Sequence, residues 1–198
     1  MIKTILAAAA ITLAAPAFAT AVVGQAAPAF TATDSMGRTQ SLAAFQGKPV
    51  VLEWTNSDCP FVQKFYSAGD MQKLQAEARR QGAVWLTINS GATGKQGHMT
   101  SADINAKLKA QGSAPTAYIA DSSGEIGKAF GARTTPHMFV VDPQGTLVFA
   151  GGIDDLPTAD PADVAKGRNH AMMALAEVKA GKPVSVASSR PYGCSVKY

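Results

Sequence analysis

The chain has 198 residues, 46% of them apolar and 16% charged, with a net charge of +4. That length suits one domain with a sizeable core. Its basic residues are scattered apart from the Arg79-Arg80 pair, which argues against nucleic acid as a partner.

Residues 1–19 read as a secretory signal: Lys3 gives a positive start, residues 5–13 an apolar run, and Ala17-Phe18-Ala19 a small-residue cleavage site. Cleavage near Ala19 leaves about 179 residues, exported to the periplasm or secreted. Nothing further along is apolar for long enough to span a bilayer, so no stable membrane insertion is expected. Two cysteines, Cys59 and Cys194, permit one disulfide in an exported protein. One domain over 20–183 followed by an irregular tail over 184–198 is the expected division.

Residues 24–47 form a hairpin lead-in, with a strand over 30–33 and a turn at Asp34-Ser35-Met36-Gly37. Ser41 caps a short helical turn through Phe45. Residues 50–62, VVLEWTNSDCPFV, are the stretch around which the rest is organised. An apolar, β-branched run bounded by turn residues predicts a buried strand. Asn56, Ser57 and Asp58 give a polar turn of helix-capping types, and Pro60 suits the first helical position. Cys59 is therefore placed at a helix N-terminus, where unpaired amides and the helix dipole favour a thiolate. Such settings lower a cysteine pKa from about 8.5 to roughly 3.5–7.5. The alternative is a buried, inert cysteine, and the polar turn argues against burial.

A helix with a break near Gly69 runs to about Gln81, then a strand over 83–88 and a flexible Gly-rich loop over 89–99. Thr100 or Ser101 caps a helix to about Gln111. A strand over 115–120, a turn, and a helix over 125–130 follow. Residues 137–141 and 147–150 form a hairpin about the turn Asp142-Pro143-Gln144-Gly145. A last helix is predicted over 161–180, with Val164, Met172, Leu175 and Ala176 as its buried face. Met71, Met138, Met172 and Met173 read as core.

Strands alternating with helices, then a hairpin and a last helix, predict an α/β fold with a mixed sheet. Sites in such sheets form beyond the carboxyl ends of parallel strands. Cys59 follows one such end. The 89–99 loop follows another and brings His98 near, though His98 reads as solvent-facing and His170 as helix surface.

Three segments, in this order and spacing, carry a family resemblance: GQAAPAFTATDSMGRTQSLAAFQGKPVVLEW, the cysteine after that strand, and GARTTPHMFVVDPQG. The chain is similar to the thioredoxin superfamily in its redoxin branch, which holds thiol-disulfide reductases and peroxiredoxin-like proteins of the alkyl hydroperoxide reductase/thiol-specific antioxidant type. CPFV and the ending PYGCSVKY resemble a peroxiredoxin-like subgroup. The resemblance implies a thioredoxin-like fold: a central mixed sheet flanked by helices, with an N-terminal hairpin and a C-terminal helix and tail. It also implies Cys59 as the redox nucleophile acting on a peroxide or a protein disulfide, with a reducing thiol partner to regenerate it. Pro136 is expected to follow a cis peptide, with Thr135 presenting backbone polar groups to a thiol or peptide near Cys59.

This chain departs from the family's patterns at named positions. Val62 stands where a Cys-x-x-Cys motif has its second cysteine, and Asn56 where subgroup members carry the partner thiol. Leu52 and Asn56 replace the proline and threonine of the peroxiredoxin P-x-x-x-T-x-x-C pattern, and the activating arginine falls on Pro136. Cys194, the other thiol, is left to resolve the intermediate on Cys59 of its own chain or of a partner; the alternatives are a tail cysteine with no partner or one that forms a static staple. The ten residues before it, 184–193, reach at most roughly 33–36 Å when extended. A bridge needs Cα atoms within about 7 Å, so the tail must dock near the active-site face in one redox state.

Several residues have two readings. Arg133 either places a charge near the thiolate or lies on the surface. His137 either tunes Cys59 or is satisfied by a neighbouring carbonyl. Glu53 is either a buried proton shuttle with a raised pKa or a hydrogen-bonded residue at the strand end. Asp58 raises the thiol pKa if it faces the sulfur, and points at helix amides if it caps. Trp54 and Phe61 either wall a substrate or pack in the core. No organic cofactor is implied, since no Gly-rich nucleotide fingerprint is present. Two other classes remain: a copper-handling module in which Cys59, Cys194, His137 and Met138 converge, and a redox-inert binding scaffold.

Overall fold

Apolar Val50-Val51-Leu52, with two β-branched valines, lies in the middle strand of the central sheet in the computed structural model, which describes residues 20–198. The secretory signal expected over 1–19 lies outside the described residues. In chain order, β1 (Thr31–Thr33) and β2 (Thr39–Ser41) form the N-terminal hairpin. The Asp34 carboxylate closes it by accepting from the amides of Met36 and Arg38, each at 2.9 Å. A 3-10 turn, Leu42–Phe45, leads to β3 (Val50–Trp54). Next come α1 (Pro60–Ser67) and α2 (Asp70–Arg80), separated at Gly69, whose φ of 76° breaks the helix. β4 (Val84–Asn89), α3 (Ser101–Gln111), β5 (Ala117–Ala120) and α4 (Glu125–Phe130) complete the parallel half. Thr100 caps α3 in a capping box with Asp103.

After α4 come β6 (Thr134–Thr135), β7 (His137–Val141), β8 (Leu147–Gly151), α5 (His170–Lys179) and β9 (Cys194–Ser195). The five-stranded sheet has the order β5-β4-β3-β7-β8. β3 pairs in parallel with β4 and antiparallel with β7, so the sheet is mixed, as expected. Side chains alternate across β3. Leu52 and Trp54 pack with Phe130 and Phe139 on one face. Val51 packs with Phe65, Met71, Trp85 and Phe149 on the other, beneath α1, α2 and α5. Because both faces are covered, the strand reads as a continuous apolar run.

Four expectations need correction. The helix expected over 161–180 is a 3-10 turn, Pro161–Asp163, followed only later by α5. Asn169 restarts the helix, its Oδ1 accepting from Met172 N at 2.9 Å. The later start moves the buried face to His170, Ala171, Ala174 and Leu175; Met172 and Met173 are half-buried and Ala176 is exposed. His170 is therefore not on the surface: its ring lies 6.3 Å from Phe149, and Nδ1 pairs with Ser189 Oγ at 3.2 Å. The Gly-rich loop is tethered rather than free. Asn89 Nδ2 donates to Gly97 O at 2.7 Å, and Ala92 N to Lys197 O at 2.7 Å.

The tail is held against the body at several points. Ser188 bridges Ala150, β9 pairs with β6, Val196 N donates to Arg133 O at 3.0 Å, and Tyr198 Oη donates to Ala132 O at 2.7 Å. Among the described residues no helix is long and apolar enough to cross a membrane.

Candidate active site

β3 ends at Trp54, and Asn56 turns the chain. Its Oδ1 accepts from Asp58 N at 2.9 Å, its backbone O accepts from Cys59 N at 3.1 Å, and its Nδ2 donates to Gln96 O at 3.3 Å. Asn56 is thus buried scaffolding for the turn. Cys59, not Asp58, is the N-cap of α1, with Pro60 at the first helical position. Asp58 is exposed and accepts only from the Ser57 hydroxyl at 3.3 Å, so it neither caps nor faces the sulfur.

The expectation that the polar turn leaves Cys59 accessible fails, because its exposure is 0%. The tail covers it. Cys59 Sγ donates to Thr135 O at 3.0 Å, and Cys194 N donates to Cys59 Sγ at 3.4 Å. Thr135 precedes the cis peptide to Pro136, as the resemblance implied, and pairs with Cys194 in the two-stranded β6–β9 ribbon. Its hydroxyl donates to Cys194 O at 3.4 Å. Gly193 permits this approach: its φ is +123°, and a Cβ there would lie 2.0 Å from Thr135 O. Both cysteines are free thiols.

The two thiols have opposite electrostatics. Burial pushes Cys59 up, yet hydrogen bonds from the Cys194 thiol, the Thr135 side chain and the amides of Cys194 and Val62 outweigh it. The net result is a thiol more acidic than ordinary. The helix N-terminus contributes through Val62, but the larger share comes from the tail, which the strand–turn–helix pattern alone does not reveal. Cys194 is pushed up to about 11, by burial first and then by the hydrogen bond and charge of Cys59, with Lys197 opposing.

Glu53 is buried and its pKa is raised by that burial, but it is bound elsewhere. It accepts from Tyr66 Oη at 2.7 Å, Trp85 Nε1 at 2.9 Å and Thr87 Oγ1 at 3.0 Å, and neither cysteine is among its partners. Arg133 is exposed, and its charge is felt at His137. His137 is 4% exposed, lowered to about 3 by burial and then by Arg133. Its Nδ1 accepts from Arg133 N at 3.3 Å and its ring lies 4.3 Å from Phe139, so an amide rather than a carbonyl satisfies it. Strand alternation sends Met138 to the opposite face, among Phe149 and Ile153, so the copper set of the alternative reading does not assemble. Trp54 is core, between Phe130 and Phe139. Phe61 borders the site, edge-on to Tyr192 at 5.8 Å. His98 pairs with Gly91 O at 3.2 Å.

Sequence reasoning missed three groups that meet two residues upstream of Cys194: Lys64, Asp154 and Tyr192. Lys64 is 1% exposed and lies 3.6 Å from Asp154 Oδ2, while Tyr192 Oη donates to Asp154 Oδ1. A lysine next to Phe65 on the buried stripe of α1 was the available signal; nothing marked Asp154.

The family model that matches is that of the AhpC/TSA family, over residues 23–150. No curated protein matches the chain. Among solved structures, a hypothetical protein from Sinorhizobium meliloti has a TM-score of 0.75 at 27% identity, covering 91% of this chain and 96% of its own. An uncharacterized conserved protein from Geobacillus kaustophilus has a TM-score of 0.73 at 22% identity, with coverage of 89% and 92%. The thioredoxin domain of a thiol-disulfide oxidoreductase from Bacteroides vulgatus reaches 0.53 at 19% identity, with coverage of 74% and 97%, and shares the thioredoxin-like fold. With the family match spanning well over half its length, this chain belongs to the AhpC/TSA family.

Proposed function

We propose that the protein is an exported thiol oxidoreductase in which Cys59 is the nucleophile and Cys194 of the same chain resolves the intermediate. The observation that carries this reading is the seating of Cys194 on Cys59, with its amide 3.4 Å from Cys59 Sγ and its backbone paired with Thr135, whose carbonyl accepts from that sulfur. The Cys59 thiolate attacks one sulfur of a partner disulfide; that S–S bond breaks, and one partner sulfur leaves as a thiolate. Cys194, once deprotonated, attacks Cys59 Sγ of the mixed disulfide and expels the second partner thiolate. The partner gains two electrons and two protons overall, and the protein becomes the Cys59–Cys194 disulfide, which a reducing thiol partner reopens. When Cys59 enters the mixed disulfide its negative charge is gone, and with it part of what holds the Cys194 pKa up. Cys194 is thus more readily ionised at the step that needs its thiolate.

The family membership supports a second electrophile, a peroxide. There the thiolate takes one oxygen to form a sulfenate, an alcohol or water leaves, and Cys194 displaces hydroxide from the sulfenic acid. Leu52, Asn56 and Pro136, which stand in place of the peroxidase pattern, favour the disulfide. The body over 20–183 and the tail over 184–198 act together in either case.

The test is to treat reduced protein with one equivalent of glutathione disulfide or of hydrogen peroxide, trap thiols, and map both cysteines by mass spectrometry. A Cys59–Cys194 bridge that reverses with dithiol is expected, absent in Cys59→Ser, and the faster reagent identifies the substrate class. Cys59 arrested as sulfinic acid with Cys194 free would overturn the two-cysteine reading.

A further inference from the structure

We propose that Tyr192, seated on a buried Lys64–Asp154 ion pair, is the positioning residue that latches Cys194 onto Cys59 and closes Cys59 to outside reagents. Its covering role stands on the geometry alone; its effect on disulfide formation rests on the function proposed above.

Lys64 lies on α1, the helix that begins at Cys59. Its ammonium donates to Leu156 O at 3.0 Å, sits 3.6 Å from Asp154 Oδ2, and lies 4.8 Å and 5.3 Å from the Phe65 and Tyr192 rings. Asp154, in the segment after β8, spends Oδ1 on Tyr192 Oη and on Leu156 N at 3.0 Å; its Oδ2 has no hydrogen bond and answers only to the lysine charge. Buried ion pairs are poor sources of net stability, because desolvation cancels much of the attraction. A pair with one oxygen left without a donor is a poorer one still. What this pair does supply is a fixed acceptor and a fixed cation on the body.

Tyr192 uses both. Its hydroxyl takes the acceptor, its ring faces the cation, and Phe61 meets that ring edge-on at 5.8 Å. Through this one side chain the tail grips α1. Gly193 then crosses Thr135, and Cys194 follows against the sulfur of Cys59. Beyond it, Val196 and Tyr198 bind Arg133 O and Ala132 O, so Cys194 is held from both sides. Tyr192 is the hold nearest to it on the upstream side.

Wild type, Tyr192→Phe and Tyr192→Ala would be compared by two measurements. One is Cys59 alkylation by iodoacetamide in fully reduced protein at a pH of about 9.5, where even an undocked thiol with pKa about 8.5 is ionised. The phenylalanine variant keeps the ring and loses one charge-assisted hydrogen bond, so Cys59 should react about tenfold faster. The alanine variant also loses the ring contacts and should react about a hundredfold faster. The other is the equilibrium constant of the Cys59–Cys194 disulfide against glutathione, which should fall in the same order. Thermal unfolding separates the latch from general loosening: the phenylalanine variant should keep its midpoint while its alkylation rate rises. Equal alkylation rates in all three proteins overturn the latch, whether or not the disulfide forms. Graded rates together with no Cys59–Cys194 disulfide in wild type support the latch as a cover and overturn the dithiol function.

Discussion

Cys59 is carried by the body of the protein and Cys194 by its tail, and the two segments are held by different physics. Behind Cys59 stands β3, buried along its whole length between two apolar clusters, so its position is fixed by the same burial that folds the domain. The tail brings only Val184, Tyr192 and Val196, all partly buried, to those clusters. It stays in place through main-chain hydrogen bonds, one glycine and a tyrosine hydroxyl. Regions with few buried apolar contacts open locally at much lower cost than the whole molecule. The contrast puts Cys59 on the part that is costly to open and Cys194 on the part that opens at lower cost.

The largest break in this contrast is expected from Gly193→Ala. Its Cβ would lie 2.0 Å from Thr135 O, a backbone atom that cannot rotate away, at a φ of +123° that side chains disfavour. Strained backbone of this kind costs about 1–3 kcal/mol before the clash is counted. The tail should undock, with Cys59 alkylation at alkaline pH rising about a hundredfold or more. The thermal midpoint should fall by no more than a few degrees. A collapse of both together would mean that tail and body unfold as one unit.

Acid should act on the body instead. His137 has a folded pKa lowered to about 3, by burial and by Arg133, against about 6.5 when unfolded. Between those values the unfolded chain binds the proton and the folded one does not, so stability falls as the pH falls below 6.5. From pH 7 to 5 the loss from this one residue is about 2 kcal/mol. Urea unfolding at the two pH values measures it. His137→Gln keeps an acceptor for Arg133 N and does not titrate, so it should flatten the profile.

Much of the body was legible in the sequence for the reason that it is stable. Val50 to Leu52, the Gly69 break, the Thr100 cap and the Asp142–Gly145 turn are local signals, and each element forms where its own residues favour it. The cis bond at Pro136 was legible only through family resemblance. Docking of the tail near Cys59 was expected from Cys194 being the second thiol, but the contacts that hold it there were not legible, since Tyr192 and Asp154 are 38 positions apart. Contacts at that separation leave no periodic trace. The burial of Cys59 was misjudged for the same reason: the turn before it is polar, and its cover comes from the far end of the chain. His137 and Glu53 were recognised as unusual and kept two readings each, because sequence shows proximity along a strand and not which face a side chain takes.

The smallest effect sharpens the comparison most, because it asks how the tail alters the body's cysteine. Cys194→Ala removes the thiol that hydrogen-bonds Cys59 while keeping the amide at 3.4 Å. A hydrogen bond to the charged form favours that form, so the Cys59 pKa should rise when it is removed. The pH dependence of Cys59 thiolate absorbance in reduced protein reads this directly. Cys194→Ser keeps a donor and should lie between wild type and alanine. Stability should shift with opposite signs for the two thiols. The lowered Cys59 pKa gives stability that is fully present above the unfolded value of about 8.5 and is lost as pH falls through its folded pKa; the alanine variant keeps less of it. Cys194, raised to about 11, holds its proton in the folded state where the unfolded chain has released it. Wild type therefore loses stability from about pH 8.5 toward 11, and the alanine variant should not show that loss. If the Cys59 pKa stays put in the alanine variant, the amides of Val62 and Cys194 suffice to hold the thiolate. The tail would then be a cover and a resolving arm without any part in activating the nucleophile.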